Sequence, residues 1–159
     1  MKKTFFLIFL VSVFTSSSLF SAENKPICKL EKKVFNDKEK AKLSFRKARL
    51  LITKNQNNTI SHEFIEGFQC LLASISLDNT KANYFSFLGD TYNLLGLNNM
   101  TKAKLLALNS YDIALKLDEN LNDVKIKIAN IYVKEDLYEQ ALDYFESALN
   151  SSSMYLQPN

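Results

Sequence analysis

The chain has 159 residues, of which 23% are charged, and its formal net charge is +3 at neutral pH. Lys2 and Lys3 lie in a leader that we expect to be removed, so the mature chain carries a net charge of about +1. This near-neutral balance gives no support for nucleic acid binding, which needs a clustered basic surface that displaces counterions. Only three Gly and two Pro interrupt the chain, which favours continuous helices joined by short turns.

Residues 1–22 have the layout of a signal peptide. A basic start is followed by the apolar run Phe5–Phe14, and Ser21 or Ala22 offers small residues for cleavage. The apolar run is shorter than the about 20 residues that span a bilayer. We therefore predict a mature chain that begins near residue 23 and has no membrane span. The leader is typical of bacteria, which indicates the periplasm; secretion or a retained signal anchor are the alternatives.

Cys28 and Cys70 are the only cysteines. In an oxidising compartment, an even pair is interpreted first as a disulfide, and two cysteines allow a single connectivity. We expect this bond to tie an N-terminal extended segment, residues 23–35, to the helical region. Asn36 and Glu39, three residues apart, predict a capping box at the start of that region.

A pattern of small, aromatic and small residues occurs twice. Ala107, Tyr111 and Ala114 return 34 residues later as an equivalent triplet, Ala141, Phe145 and Ala148. A second pattern precedes each triplet and comprises Phe85, Leu88, Gly89 and Tyr92, and then Lys125, Ile128, Ala129 and Tyr132.

These patterns resemble the tetratricopeptide repeat, in which a helix with a large residue, Leu-Gly and Tyr precedes a helix with the small-aromatic-small triplet. A small residue lets the two helices approach closely, and the aromatic ring fills the space between them. The resemblance implies an all-α fold of two clear repeats and one weaker repeat, stacked as a short right-handed solenoid over residues 36–155. A tail, residues 156–159, follows. An ordinary helical bundle is the alternative.

The weaker repeat precedes the two clear ones. Its second helix would carry Gly67, Leu71 and Ser74 in the small-large-small order. Its first helix would carry Phe45, Ala48, Arg49 and Ile52. Both this unit and the next need six extra residues between their helices, which we place within Asn55–Thr59 and Gly96–Thr101, because loops accept insertions at low cost. From about residue 36 onward, we therefore predict six helices in three antiparallel pairs.

In tetratricopeptide proteins, the first helices of successive repeats line a concave groove that binds peptides or helices of other proteins. The resemblance places this groove at Asn83, Ser86, Phe87, Asp90, Asn93 and Leu94 in one repeat and at Asp123, Ile126, Lys127, Asn130 and Val133 in the next. Asn side chains can donate to and accept from a peptide backbone, although Asn is frequent throughout this chain. Ser86, Asp90 and Ile126 do not fit the carboxylate clamp known in the family, so we exclude that mode.

The last predicted helix should expose an apolar terminal patch, Leu142, Phe145 and Leu149, which are spaced three and four residues apart. Repeat solenoids usually cover such a face with a capping helix. We expect the patch to dock a second copy, giving a homodimer, or the partner protein. Coverage by Met154, Tyr155 and Leu156 is the alternative.

The residue types give little support for catalysis. His62 is the only histidine. A zinc site built from several histidines therefore cannot form, and any Ser-His-Asp triad would have to use His62. Gly67, Gly89 and Gly96 are isolated, so we predict neither a phosphate loop nor any cofactor. We predict an exported protein interaction module that is not an enzyme. A self-associating architectural protein and a thiol-dependent enzyme that uses Cys70 are the alternatives.

Overall fold

The computed structural model describes residues 28, 30, 36–59, 61–96 and 101–153. The predicted signal peptide, most of the predicted N-terminal segment and the tail after residue 153 lie outside these residues. The described residues are all-helical, without strands, and the bounds of the helices are α1 Asp37–Lys54, α2 His62–Leu77, α3 Ala82–Gly96, α4 Thr101–Leu117, α5 Asn122–Lys134 and α6 Tyr138–Ser153. The prediction of six helices is confirmed.

The helices form three pairs, each made of two consecutive helices. The most extensive packing joins α1 to α2, α3 to α4 and α5 to α6, whereas α2 meets α3 and α4 meets α5 over smaller areas. The predicted insertion sites, Asn55–Thr59 and Gly96–Thr101, fall where α1 gives way to α2 and α3 to α4, although Gly96 still ends α3 and Thr101 already begins α4.

Side-chain hydrogen bonds define the starts of the first two helices. The Asn36 side-chain oxygen accepts a hydrogen bond from the backbone N–H of Glu39 at 2.9 Å. The Glu39 carboxylate accepts one from the backbone N–H of Asn36 at 3.3 Å. This is the predicted capping box. At α2, Ser61 Oγ accepts from the Phe64 amide at 3.1 Å and satisfies a donor that the helix leaves unpaired.

The repeated small and aromatic residues lie where paired helices approach one another. Ala107, Tyr111 and Ala114 are fully buried on α4. A Cβ atom built on Gly89 would stand 2.4 Å from Tyr111 Cε1, so the ring occupies space that only a glycine of α3 leaves open. Ala141 and Ala148 of α6 are 2% and 4% exposed. The two clear repeats are therefore aligned as predicted.

The weaker repeat is also a packed helix pair. Gly67, Leu71 and Ser74 of α2 are buried, and a Cβ atom on Gly67 would lie 2.9 Å from Leu51 Cβ of α1. Phe45, Ala48 and Ile52 of α1 are buried as expected, whereas Arg49 is exposed.

Aromatic rings connect the first pair to the second. The ring centroids of Phe45 and Tyr84 are 4.3 Å apart, and Phe87 meets Phe45 edge-on at 5.8 Å. Phe68 of α2 lies edge-on to Tyr92 of α3 at 5.6 Å. Such ring pairs add to the free energy of apolar burial, so two groups of aromatic contacts stabilise the stacking of the first two helix pairs.

Tyr92 makes the stability of this core sensitive to alkaline pH. The side chain is 1% exposed, and burial raises the pKa of Tyr92 to about 12 from its ordinary value near 10. As pH rises, the unfolded chain loses the Tyr92 proton before the folded protein does. The free energy of unfolding should therefore fall between about pH 10 and about pH 12, by about 1.4 kcal/mol per pH unit for this group. Urea unfolding at several alkaline pH values measures the slope.

Tyr92→Phe is the control for this slope, because lysines also titrate in the same range. The variant should lose stability less steeply above pH 10 than the parent. Identical slopes would show that the Tyr92 phenol does not titrate differently in the folded and unfolded states.

Candidate functional site

The two cysteines are joined in the structure. Cys28 Sγ and Cys70 Sγ form a disulfide, with their Cα atoms 4.8 Å apart. Cys70 is fully buried on α2, and Cys28 packs against the hydrophobic core. A sulfur in a disulfide is not a thiolate nucleophile, and His62 is exposed at the first position of α2. The thiol enzyme alternative therefore has no resting nucleophile in this structure.

A depression lies between α1 and α3 on the face where the resemblance places the binding groove. Its volume is about 340 Å³. Four of the predicted groove residues line it, together with residues that the sequence analysis did not select. The lining comprises Phe87, Asp90, Asn93 and Leu94 from the predicted set, and Ile52, Thr53, Gln56 and Thr91 in addition. Three of the eight lining residues are apolar, and the other five are two threonines, two carboxamides and the Asp90 carboxylate.

Asp90 and Lys127, both predicted as groove residues, form an ion pair that joins the second helix pair to the third. Lys127 Nζ lies 3.0 Å from the Asp90 carboxylate and 3.4 Å from Asp123 Oδ2. The Tyr111 hydroxyl donates to Asp90 Oδ1 at 2.8 Å, and Lys127 Nζ lies 6.0 Å from the centroid of the Tyr111 ring. Burial, with the negative charge of Asp90 beside it, raises the pKa of Tyr111, so the phenol remains a neutral donor. These charges hold neighbouring repeats together and partly neutralise each other.

The other predicted groove residues divide by exposure. Asn83, Asp123 and Asn130 are exposed, and Ile126 and Val133 are 43% and 39% exposed. Ser86 is 9% exposed and counts among the buried polar residues, because its short side chain does not extend beyond its larger neighbours. The open surface beyond the depression therefore presents an amide of α3 and, on α5, an amide, a carboxylate and two branched apolar side chains.

Three basic residues, Lys42, Arg46 and Arg49, form a stripe that we call the basic face of α1. All three are exposed. They are spaced four and three residues apart, and Thr53, which lines the depression, follows four residues after Arg49. Residues at this spacing lie on one side of a helix. The sequence analysis missed this face, although the recurrence of Lys and Arg at helical spacing was a sufficient signal.

The predicted terminal patch on α6 is open to solvent at two of its three positions. Leu142 and Leu149 are 56% and 68% exposed, and Phe145 is half-buried. Tyr138, one turn before Leu142, is 62% exposed. Met154, Tyr155 and Leu156, the alternative cover, lie outside the described residues.

The same helix positions are covered in the preceding repeat. Leu108 and Leu115 of α4, 34 residues before Leu142 and Leu149, are half-buried and pack against the core, and Tyr111 between them is fully buried. The patch on α6 thus corresponds to a face that packs against the core in the preceding repeat.

No helix within the described parts of the chain combines the length and the apolar character that crossing a bilayer requires.

Comparison with models of protein families gives no match, and neither does comparison with curated protein sequences. Among solved structures, the chain is similar to one titled "Crystal structure of MamA", with a TM-score of 0.59 and 18% sequence identity. The similarity covers 73% of this chain and 60% of that one, so the chain spans less than two thirds of the length of that protein. Together with the three stacked helix pairs, this similarity shows that the chain has the fold of a tetratricopeptide-like helical solenoid.

Proposed function

We propose that the protein is an exported interaction module that holds a peptide or a helix of another protein along the groove formed by α1, α3 and α5. The observation that carries this proposal is the depression between α1 and α3. Its volume of about 340 Å³ accommodates one or two large side chains. Small-molecule sites usually combine apolar walls with a few polar groups, and this depression places three apolar side chains beside five polar ones.

The chemistry of the groove suits a polypeptide. Phe87 and Leu94 supply apolar walls, and Ile126 continues the apolar surface onto α5. The amides of Gln56 and Asn93 line the depression and can each donate to and accept from a peptide backbone. The ligand would therefore be recognised by main-chain hydrogen bonds together with one or two apolar anchors.

Two observations support export. The first 22 residues have the layout of a signal peptide, and disulfides persist in oxidising compartments such as the periplasm. The partner would therefore be a protein of the cell envelope, of secretion or of assembly.

Matched substitutions test the groove. Asn93→Phe places a ring in the depression, whereas Asn109→Phe makes the same change at an exposed position of α4. Affinity purification of the tagged mature protein from envelope extracts should recover a partner with the parent and with Asn109→Phe, and lose it with Asn93→Phe. If Asn93→Phe retained every protein that the parent recovers, the groove would not be the binding site.

Self-association through the terminal patch is a second candidate function, favoured by the exposure of Leu142 and Leu149. A two-fold dimer would bury the patches of both copies against each other. Light scattering across a concentration series should show the mass of the parent rising toward that of a dimer, whereas Leu142→Glu with Leu149→Glu stays monomeric. Leu105→Glu, at a leucine of α4 that is 62% exposed, serves as the control and should dimerise like the parent. A parent that stays monomeric throughout contradicts this candidate.

A further inference from the structure

The positive charge of the described helices is concentrated on α1. Its 18 residues include seven Lys or Arg and two acidic residues. Lys40 pairs with Asp37 at 3.6 Å and Lys47 with Glu66 at 2.8 Å. Within the described residues, no ion pair involves Lys42, Arg46 or Arg49, the basic face of α1, and all three side chains are exposed.

The basic face of α1 borders the depression. Arg49 precedes Thr53 by four residues and Gln56 by seven, and both of these line the depression. Arg46 and Lys42 continue the same side of the helix by one and two further turns toward its N-terminus. The guanidinium groups therefore lie within reach of a chain that enters the depression from the N-terminal end of α1.

Acidic side chains inside the groove do not cancel this charge. Asp90 is the carboxylate that lines the depression, and Lys127 pairs with it at 3.0 Å. Asp123 is also within 3.4 Å of the same lysine. The groove thus has a basic rim on α1, and its lining contains a paired acid together with apolar and neutral polar side chains.

We propose that the groove binds an internal acidic segment of a partner protein, with carboxylates against Lys42, Arg46 and Arg49 and an apolar side chain in the depression. This inference rests on the proposed function and specifies its ligand. Arginine binds carboxylates through paired hydrogen bonds in a planar geometry. The apolar walls supply binding free energy that charge alone does not, because exposed charges are well solvated and screened.

The shape of the site favours a peptide over a membrane surface. A flat bilayer cannot enter a depression between two helices, and it would leave Phe87, Asn93 and Leu94 without contacts. An extended acidic segment reaches both the rim and the depression. Binding should weaken as salt is added, since exposed charges are screened over about 10 Å at 0.1 M ionic strength.

Selection from a random peptide library tests the ligand class. Peptides displayed without a free carboxyl end are selected on the disulfide-bonded mature protein, and the net charge of the enriched peptides is compared with that of the starting library. Enriched sequences should be acidic and contain a large apolar residue. Their affinity should fall about tenfold in Arg46→Glu with Arg49→Glu, since two attractions become repulsions. Lys102→Glu with Lys116→Glu, two exposed positions of α4, makes the same change in net charge and should retain the affinity of the parent.

The outcomes separate this inference from the proposed function. The enriched peptides could lose binding in Asn93→Phe and yet carry no excess of acidic residues. That result would overturn the acidic ligand and leave the groove as a peptide site. Peptides insensitive to Asn93→Phe would overturn both. The protein could also bind vesicles containing phosphatidylglycerol as tightly as it binds the enriched peptides, and lose this binding in Arg46→Glu with Arg49→Glu. That result would assign the basic face to anionic lipid and overturn the inference.

Discussion

Ala141→Phe is expected to lower the free energy of unfolding by about 3 kcal/mol or more, because a phenyl ring has no space where α6 packs against α5. Ala141 is 2% exposed, and the repeat pattern requires a small residue at this contact. Urea unfolding of the mature, disulfide-bonded protein measures the change. Leu142→Phe is the matched control, since the neighbouring position is 56% exposed and should change stability by less than about 0.5 kcal/mol.

Ala148→Asp extends the same test one helical turn beyond Phe145. The position is 4% exposed, and a carboxylate there would lose hydration. A loss of about 1 kcal/mol lowers the melting temperature of a domain of this size by several degrees. If Ala141→Phe or Ala148→Asp melted within about one degree of the parent, these alanines would not face a helix contact.

Reduction of the Cys28–Cys70 disulfide is expected to cost about 4 kcal/mol, because the bond closes a loop with a sequence separation of 42 residues and restricts the unfolded chain. This is a large fraction of the stability of a small domain. Thermal unfolding of the mature protein with and without reductant measures the loss. In Cys28→Ala with Cys70→Ala, reductant should have no effect.

Thiol counting provides an independent check on the bond. Native protein purified without reductant should show no alkylatable thiol by intact mass. Two alkylatable thiols in such a sample would contradict the disulfide and return Cys70 to consideration as a reactive group.

Packing inside each helix pair was predictable from the sequence because it depends on local spacing. The small-aromatic-small order of Ala107, Tyr111 and Ala114 indicated close helix contacts, and all three are fully buried. The weaker repeat was predictable for the same reason, since Gly67 keeps a small residue at a position where a Cβ atom would lie 2.9 Å from Leu51 Cβ of α1.

Contacts between repeats were not predictable, because they depend on how far one pair is rotated and shifted on the next. The ion pair of Asp90 and Lys127 joins residues 37 positions apart, and the pattern placed both on the groove without indicating that they meet. Ser86 was predicted as a groove residue from its helix position alone, and its burial depends on the size of its neighbours. The depression depends on the gap that α3 leaves beside α1, which no spacing within one helix encodes.

Photo-crosslinking from single positions tests the central claim, that a partner protein lies in the groove, most directly. A photoreactive residue is placed in turn at Gln56 and Asn93, which line the depression, and at Asn109 and Lys116, which are exposed on α4. The proteins are irradiated in living cells of the source organism. We expect the same partner to be linked from both groove positions and from neither position of α4. A partner linked from α4 while both groove positions give no product would contradict the proposed binding mode.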